Sequence, residues 1–439
     1  MPLSSPSATA VASPATRPAR VMPWVSLARR AYWPAVLGLI ALNGWWVWDA
    51  RPIPDLKYVD RWIAQERDLD ARSASWWNFW HVPQNNDSAI SVLQRAIHDS
   101  PNDGHARMLL GRAFGAKKDY RNAAEQWRSV PFWSPYKPEA LYGEALGWLE
   151  LNRLKDAEIA LLAYLDADPN HPSARPQRRV VEDKLLDIYG LEDRWEEARA
   201  IVWKSYDDAS GSVARRSRLE MSLKTRLERS HPSAALVMLR QAVAADPNDW
   251  EARRALARAA NAEKSIEEAD REINACLAAR PKDPKVWGEW LDMLRVREDF
   301  DGLVTVAAKS PPEADADPRV LLTKGRIRLQ DKDYAGASQA FAKVVEISPA
   351  DPAARNSLSL TLRLIGRPGE AGVHLARHAE LDELTKEVPA AVNAFKDASE
   401  AVPVKPDELK AAMIRLSKAC RGMGWTRDAD GWVKAAAEL

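Results

Sequence analysis

The chain has 439 residues, of which 46% are hydrophobic and 28% charged, so most of its length can fold around a buried core. A formal net charge of +1 is not that of a general nucleic-acid-binding protein, which carries a basic excess, and we expect no nucleic-acid partner. The two cysteines, Cys276 and Cys420, stand far apart in the sequence, which excludes a disulfide framework and a zinc site built on paired cysteines.

The N-terminal region predicts a disordered tail followed by a transmembrane anchor. Residues 1–28 begin with a stretch of Pro, Ser, Ala and Thr that cannot build a core. Residues 29–50 form the predicted anchor, because an uncharged run separates Arg30 from Asp49. As a helix this run would extend roughly 27 Å, close to the thickness of a bilayer's hydrocarbon core.

Tryptophans at one end of this run favour a lipid bilayer as a partner of the chain. Trp45, Trp46 and Trp48 would lie at the membrane interface, where aromatic rings concentrate. A buried or amphipathic segment and a cleaved signal peptide are the alternatives. No small-residue cleavage site follows the apolar run, so we favour an uncleaved anchor.

The basic residues around the anchor predict its orientation. Arg17, Arg20, Arg29 and Arg30 precede the apolar run without any acid, although Arg51 and three further basic residues follow it closely. A short basic tail normally stays inside the cell. We therefore expect a single-pass protein with a cytoplasmic N-terminus and the large C-terminal part on the periplasmic side.

The segment after the anchor is predicted to be a helical neck over 51–69, followed by a cluster of tryptophans. Trp76, Trp77 and Trp80 fall three to four positions apart in part, as on one helix face. They are interpreted either as an N-terminal cap that packs on the following domain or as an exposed aromatic patch for another membrane protein.

One spacing recurs along the rest of the chain. The interval from Pro101 to Pro135 is repeated from Pro135 to Pro169, and again from Pro247 to Pro281. Twelve positions before each proline stands an alanine, and eight positions before it stands a larger apolar residue. The repeat indicates a protein built from many copies of one small unit.

The pattern resembles the tetratricopeptide repeat, a helix-turn-helix unit of about 34 residues. The best match is "LLTKGRIRLQDKDYAGASQAFAKVVEISP", with Gly325 on the first helix and Ala337, Phe341 and Pro349 on and after the second. The resemblance covers about 70–437. It implies an all-α fold, a right-handed α-solenoid of about ten repeats, because each helix pair must stack on the next to bury its apolar face.

Departures from the repeat suggest sub-arrays. We expect an N-terminal sub-array over 70–205, a loop at 206–215, a central sub-array over 216–385, and an extra helix with a terminal repeat over 386–439. The predicted units start near residues 70, 104, 138, 179, 216, 250, 284, 318, 352 and 410.

Catalytic motifs are not found in the sequence. It contains no phosphate-binding loop, no nucleophile elbow and no zinc-protease motif. His374 and His378 are four positions apart on a predicted helix, but a structural pair is a better interpretation than a metal site. We expect no enzyme activity, no metal and no cofactor.

The first helices of the repeats supply the candidate binding residues. In proteins similar to this one, the first helix lines a concave surface through about its second, fifth, ninth and twelfth positions. Between 250 and 385 these positions hold Arg254, Arg258, Lys285, Arg295, Arg319, Arg326, Asn356 and Arg363. Arginine pairs carboxylates with two parallel hydrogen bonds, so this face favours an acidic partner. The alternative is a solvated helix face.

The resulting prediction is a membrane-anchored scaffold that binds a peptide or a partner protein, with a role in assembling an envelope complex. The alternatives are a non-catalytic subunit of a membrane enzyme or cytochrome-maturation complex, and an array that assembles end to end through an uncovered last repeat.

Overall fold

The computed structural model describes residues 86–167, 178–227 and 232–439. These residues form nineteen α-helices and one short 3-10 turn, and no β-strand occurs among them. The predicted tail, anchor and neck lie outside the described residues, as do Trp45, Trp46, Trp48, Trp76, Trp77 and Trp80. Within the described ranges, no helix combines the length and the apolar character needed to cross a bilayer.

The helices follow one another with short connections. They are α1 (Asn86–Asp99), α2 (Gly104–Ala116), α3 (Tyr120–Arg128), α4 (Lys137–Glu150), α5 (Leu154–Asp166), α6 (Arg178–Leu191), α7 (Trp195–Asp208), α8 (Ser212–Leu227), α9 (Pro232–Ala245) and α10 (Trp250–Ala262). They continue with α11 (Ile266–Ala279), α12 (Pro284–Val296), α13 (Phe300–Lys309), α14 (Pro318–Gln330), α15 (Tyr334–Ile347), α16 (Pro352–Leu364), α17 (Pro368–Glu400), α18 (Pro406–Gly422) and α19 (Thr426–Ala437).

The helix-pair array predicted from the recurring spacing is confirmed. Helices α2, α4, α6, α10, α12, α14 and α16 begin within a few residues of the predicted unit starts, and each packs on the helix that follows it. Aspartates fix most of these starts. Asp249, Asp283, Asp317 and Asp351 recur at the repeat interval, and each side chain accepts a hydrogen bond from a backbone N–H in the first turn of the next helix.

The glycine of the first helix makes room for an aromatic ring of the second. A Cβ atom added to Gly325 would lie 2.5 Å from a ring carbon of Phe341, which is completely buried. Gly111 faces the buried ring of Trp127 in the same way. The two helices therefore cross closely at these points, as the resemblance implies.

Two boundaries differ from those expected. Residues 206–208 belong to α7 and 212–215 to α8, so the connection predicted over 206–215 is reduced to three residues. The extra helix expected after 386 is continuous with the preceding one in the 33-residue α17, despite Pro389 inside it. Val388 and Phe395 are buried in a core with α18 and α19, and this packing compensates for the backbone hydrogen bond that Pro389 cannot make.

The array closes on its own middle. Helix α19 packs against α8, and one core cluster joins Trp203 and Leu219 of α7 and α8 to Met413 and Trp432 of α18 and α19. The last helix is therefore covered by α8, which opposes the alternative of end-to-end assembly through an uncovered last repeat. Each helix from α9 to α18 contacts the next helix in the chain. Helix α19, which ends this series, packs against α8.

Candidate functional site

Three of the predicted basic residues lie around one internal carboxylate, that of Glu289. Glu289 on α12 is 1% exposed, and its Oε2 lies 3.1 Å from Arg254, 3.3 Å from Arg319 and 3.5 Å from Arg258. Burial by itself would raise the pKa of Glu289, but the three guanidinium groups together hold its pKa below the ordinary value. The cluster ties α10, α12 and α14 together.

Arg254 is the most enclosed member of this cluster. It is 3% exposed, pairs with Glu251 at 3.0 Å, and donates a hydrogen bond to the backbone carbonyl of Glu192 at 3.1 Å. The expectation that Arg254 faces a partner is therefore corrected. Its charge is neutralised inside the array, where it joins α10 to the end of α6.

The other members of the cluster are also paired. Arg258 pairs with Asp193, and Arg319 lies 2.8 Å from Asp317, the residue that caps α14. Lys285 reaches Glu197 of α7 at 3.1 Å. Arg258 and Lys285 therefore hold the α6–α7 turn and the start of α7 against the central repeats, whereas Arg319 joins α14 to α12. A partner would have to displace these contacts to use the three side chains.

Glu289 was not identified from the sequence, although a signal is present. At the equivalent positions of the neighbouring repeats, one repeat length before and one after, stand Ala255 and Thr323. A single acid among small residues at an interior position needs cationic partners. The arginines of the facing helices supply them.

Arg326, Asn356 and Arg363, by contrast, are exposed. They lie on α14 and α16, two first helices that contact each other. Neither Arg326 nor Arg363 has an ion-pair partner among the residues that the structure describes. Arg295 is also exposed, but it pairs with Asp292 of its own helix at 2.7 Å. Fewer of the eight predicted positions are therefore available to a partner than the sequence pattern suggests.

Apolar residues extend this surface along α16. Leu360 is 40% exposed and Leu364 is 48% exposed. Together with Asn356 and Arg363 they fall at spacings of four, three and one, which place them on one face of the helix. We call Arg326, Asn356, Leu360, Arg363 and Leu364 the exposed α14–α16 face.

An exposed aromatic pair lies outside the repeat positions. Phe132 and Trp133, in the connection between α3 and α4, are 82% and 65% exposed, and their rings meet edge to face at 4.9 Å. Sequence reasoning did not single them out, although "VPFWSP" places two aromatic residues between prolines.

The histidines and cysteines do not form a metal site in the described ranges. No group of three or more potential ligands comes together there. His374 faces Arg355 at 3.4 Å, whereas His378 faces Asp382 at 3.6 Å. Cys276 and Cys420 are buried, and burial raises the pKa of each thiol to about 12, so both are protonated packing residues at neutral pH.

Solved structures similar to this chain include three helical proteins. Functionally characterised PilF of Pseudomonas aeruginosa matches at 15% identity over 55% of this chain and 90% of its own, with a TM-score of 0.30. The human IFIT1 dimer with PPP-AAAA matches at 15% identity over 86% of this chain and 99% of its own, with a TM-score of 0.33. Yeast Tom70 matches at 12% identity over 86% and 96%, with a TM-score of 0.29.

Family models give the more direct result. No curated protein sequence matches this chain significantly. Three models, each described as a tetratricopeptide repeat, match residues 84–130, 226–288 and 318–351. The matched segments lie in separate parts of the helix-pair array, and each coincides with its helices. The chain therefore contains tetratricopeptide repeats in these three segments.

Proposed function

We propose that this chain is a non-catalytic scaffold that binds an acidic segment of a protein partner on the exposed α14–α16 face. The observation that carries the proposal is the exposure of Arg326 and Arg363 on adjacent first helices, next to a row of apolar side chains. Repeat arrays of this kind offer extended surfaces for protein–protein interaction.

The chemistry of this face defines the partner. A guanidinium group binds a carboxylate through two parallel hydrogen bonds, so Arg326 and Arg363 favour aspartate or glutamate side chains. Asn356 can donate to and accept from a peptide backbone. Leu360 and Leu364 add contacts for apolar residues, so the best ligand is a segment in which acidic and apolar residues are interspersed.

We further propose that residues 29–50 anchor the scaffold in a membrane, with the N-terminus in the cytoplasm and the array in a periplasm-like space. The apolar run and the arginines before it support this arrangement. A role in assembling an envelope complex follows from that location.

Affinity purification from crosslinked membranes tests partner binding. The wild type is compared with the double variant Arg326→Glu/Arg363→Glu. A matched control, Lys396→Glu/Lys410→Glu, makes the same charge change at exposed positions of α17 and α18. We expect one dominant partner that is lost from the first variant and retained by the second. Equal recovery with both variants would rule out the exposed α14–α16 face as the binding site.

Protease accessibility on spheroplasts tests the location. With the outer membrane opened, added protease should degrade residues 60–439 while the inner membrane is intact. Full protection of this region until the inner membrane is lysed would contradict the proposed orientation.

A further inference from the structure

The turn between α6 and α7 lies on basic side chains of the central repeats. Arg258 of α10 pairs with Asp193 of the turn, although 65 positions separate them in the chain. Lys285 of α12 pairs with Glu197, at the start of α7, at 3.1 Å across 88 positions. Two basic residues of consecutive first helices therefore hold two acids of one short segment, as they would hold an acidic segment of another protein.

The ion pairs of this contact are accessible to solvent. The four side chains of the two pairs are between 30% and 48% exposed. Ion pairs that water reaches contribute little to stability, because the charges are already well solvated when they are apart. The turn is therefore attracted to α10 and α12 by its charges but is weakly fixed by them.

The apolar side of the contact is incompletely filled. A cavity of about 430 Å³ lies behind the turn, between Leu191 and the side chains of Leu239, Ala255 and Met293 on α9, α10 and α12. Apolar atoms that face a cavity lose the dispersion contacts that a packed neighbour would supply. The turn thus covers this surface without filling it.

Buried acids oppose the closure of the turn on α10. Glu192 of the turn is 1% exposed, and burial, followed by the charge of Asp249, raises its pKa to about 8. Asp249, which precedes α10, is itself buried. Arg194 lies 2.7 Å from Glu158 and 2.9 Å from Glu192, both in its own half of the chain, but 4.0 Å from Glu251 of α10. The arginine of the turn therefore contributes little to the contact with α10.

The contact between α8 and α19 has the opposite character. Trp203 and Leu219 share one buried core with Trp432, and buried Asp428 of α19 pairs with Arg226 of α8. This contact is packed and its charges are satisfied. The turn can therefore leave α10 and α12 while α8 stays attached to α19.

We propose that the α6–α7 turn is a displaceable occupant of a binding surface on α10 and α12, and that an acidic segment of a partner protein takes its place. Arg258 and Lys285 would bind the carboxylates of that segment, and the walls of the cavity would accept an apolar side chain. The turn itself shows this combination, since Leu191 precedes its acids. The surface is separate from the exposed α14–α16 face, so each proposal can fail without the other.

Fluorescence anisotropy with a labelled peptide of the turn sequence, "YGLEDRWEEA" (residues 189–198), tests the proposal on the full-length chain. Every chain carries Arg326→Glu/Arg363→Glu, which removes the other proposed site for acidic segments. Asp193→Asn/Glu197→Gln takes the two carboxylates from the turn, so the peptide should bind about five to ten times more tightly than when the turn is intact. The control Glu400→Gln/Asp407→Asn neutralises two exposed acids of α17 and α18 and should leave the affinity unchanged.

Two further comparisons locate the bound peptide. A neutral peptide, with Gln and Asn in place of its acids, should bind Asp193→Asn/Glu197→Gln at least about fivefold more weakly than the acidic peptide does. Adding Lys285→Glu to this variant should reverse the gain in affinity. The replaced side chains are about a third exposed, so the fold should persist, which circular dichroism checks. The proposal is wrong if the altered turn does not raise the affinity, if the neutral peptide binds as tightly, or if Lys285→Glu leaves the gain intact.

Discussion

The hydroxyl group of Ser222 donates a hydrogen bond to Oδ1 of Asp428, although 206 positions separate the two residues in the chain. Arg226, one turn after Ser222, pairs with the other oxygen of Asp428 at 2.9 Å. Asp428 is completely buried, and each of its carboxylate oxygens accepts a hydrogen bond from a residue of α8. This contact fixes the position at which the last helix meets the middle of the array.

Asp428→Ala should destabilise the chain by about 3–5 kcal/mol, because it leaves the charge of Arg226 without its partner at a packed interface. Urea denaturation measures the change, and hydrogen exchange should rise in α19. Asp430→Ala is the control, since Asp430 pairs with Arg421 on the exposed side of the same helix. It should change the stability by no more than about 0.5 kcal/mol. Equal effects of the two variants would mean that the buried contact does not stabilise the closure.

Two Gly→Ala substitutions should change stability in opposite directions. Gly325→Ala places a methyl group against the ring of Phe341 and should cost about 1–3 kcal/mol. Gly372→Ala, in the interior of α17, meets no atom within 4 Å and should stabilise the chain by about 0.5–1 kcal/mol. Thermal denaturation of both variants gives the signs. A neutral Gly325→Ala would show that the two helices of this repeat can move apart at little cost.

The stability of the chain should depend on pH through Glu192. Burial, and then the charge of Asp249, raise its pKa to about 8 against an ordinary value of 4.5, although Arg194 donates a hydrogen bond to it. A carboxyl group whose pKa is higher in the folded state favours folding while it is protonated. Its contribution is complete below about pH 4.5 and is lost as the pH rises towards about 8.

Glu192→Gln removes this titration, so the fall in urea midpoint between pH 5.5 and 8.5 should be smaller than in the wild type. Carboxylates with a lowered pKa, such as Glu289, act in the opposite sense and at lower pH, outside this window. Glu196→Gln serves as the control, because the Glu196 side chain is 85% exposed. An equal fall in the wild type and in Glu192→Gln would show that Glu192 is ionised in the folded chain.

Charge reversal should separate the structural arginines from those available to a partner. Arg254→Glu brings a carboxylate next to Glu251 and Glu289 in the interior, and should destabilise the chain by at least about 3 kcal/mol. Arg326→Glu is made at an exposed position and should change the stability by no more than about 0.5 kcal/mol. Circular dichroism during urea denaturation measures both. Similar losses would mean that Arg326 also has a structural role.

The repeat and its helix boundaries could be read from the sequence because their causes are local. A glycine on the first helix, an alanine and an aromatic or aliphatic residue on the second, and an aspartate before the next helix recur from one repeat to another. Where the structure departs from the expected boundaries, packing decides: α17 continues through Pro389 because Val388 and Phe395 are buried against α18 and α19.

The sequence by itself determined the helix-pair array and the positions of the basic residues on its first helices, but not which of those residues are exposed. Only the tertiary structure decided that Arg254, Arg258 and Arg319 converge on Glu289 and that α19 returns to α8. The physical reason is that a repeating pattern specifies how each unit packs on the next, but it carries no record of which distant charges meet. Those pairings depend on the summed rotation of many helix pairs, and small departures from the repeat change that rotation.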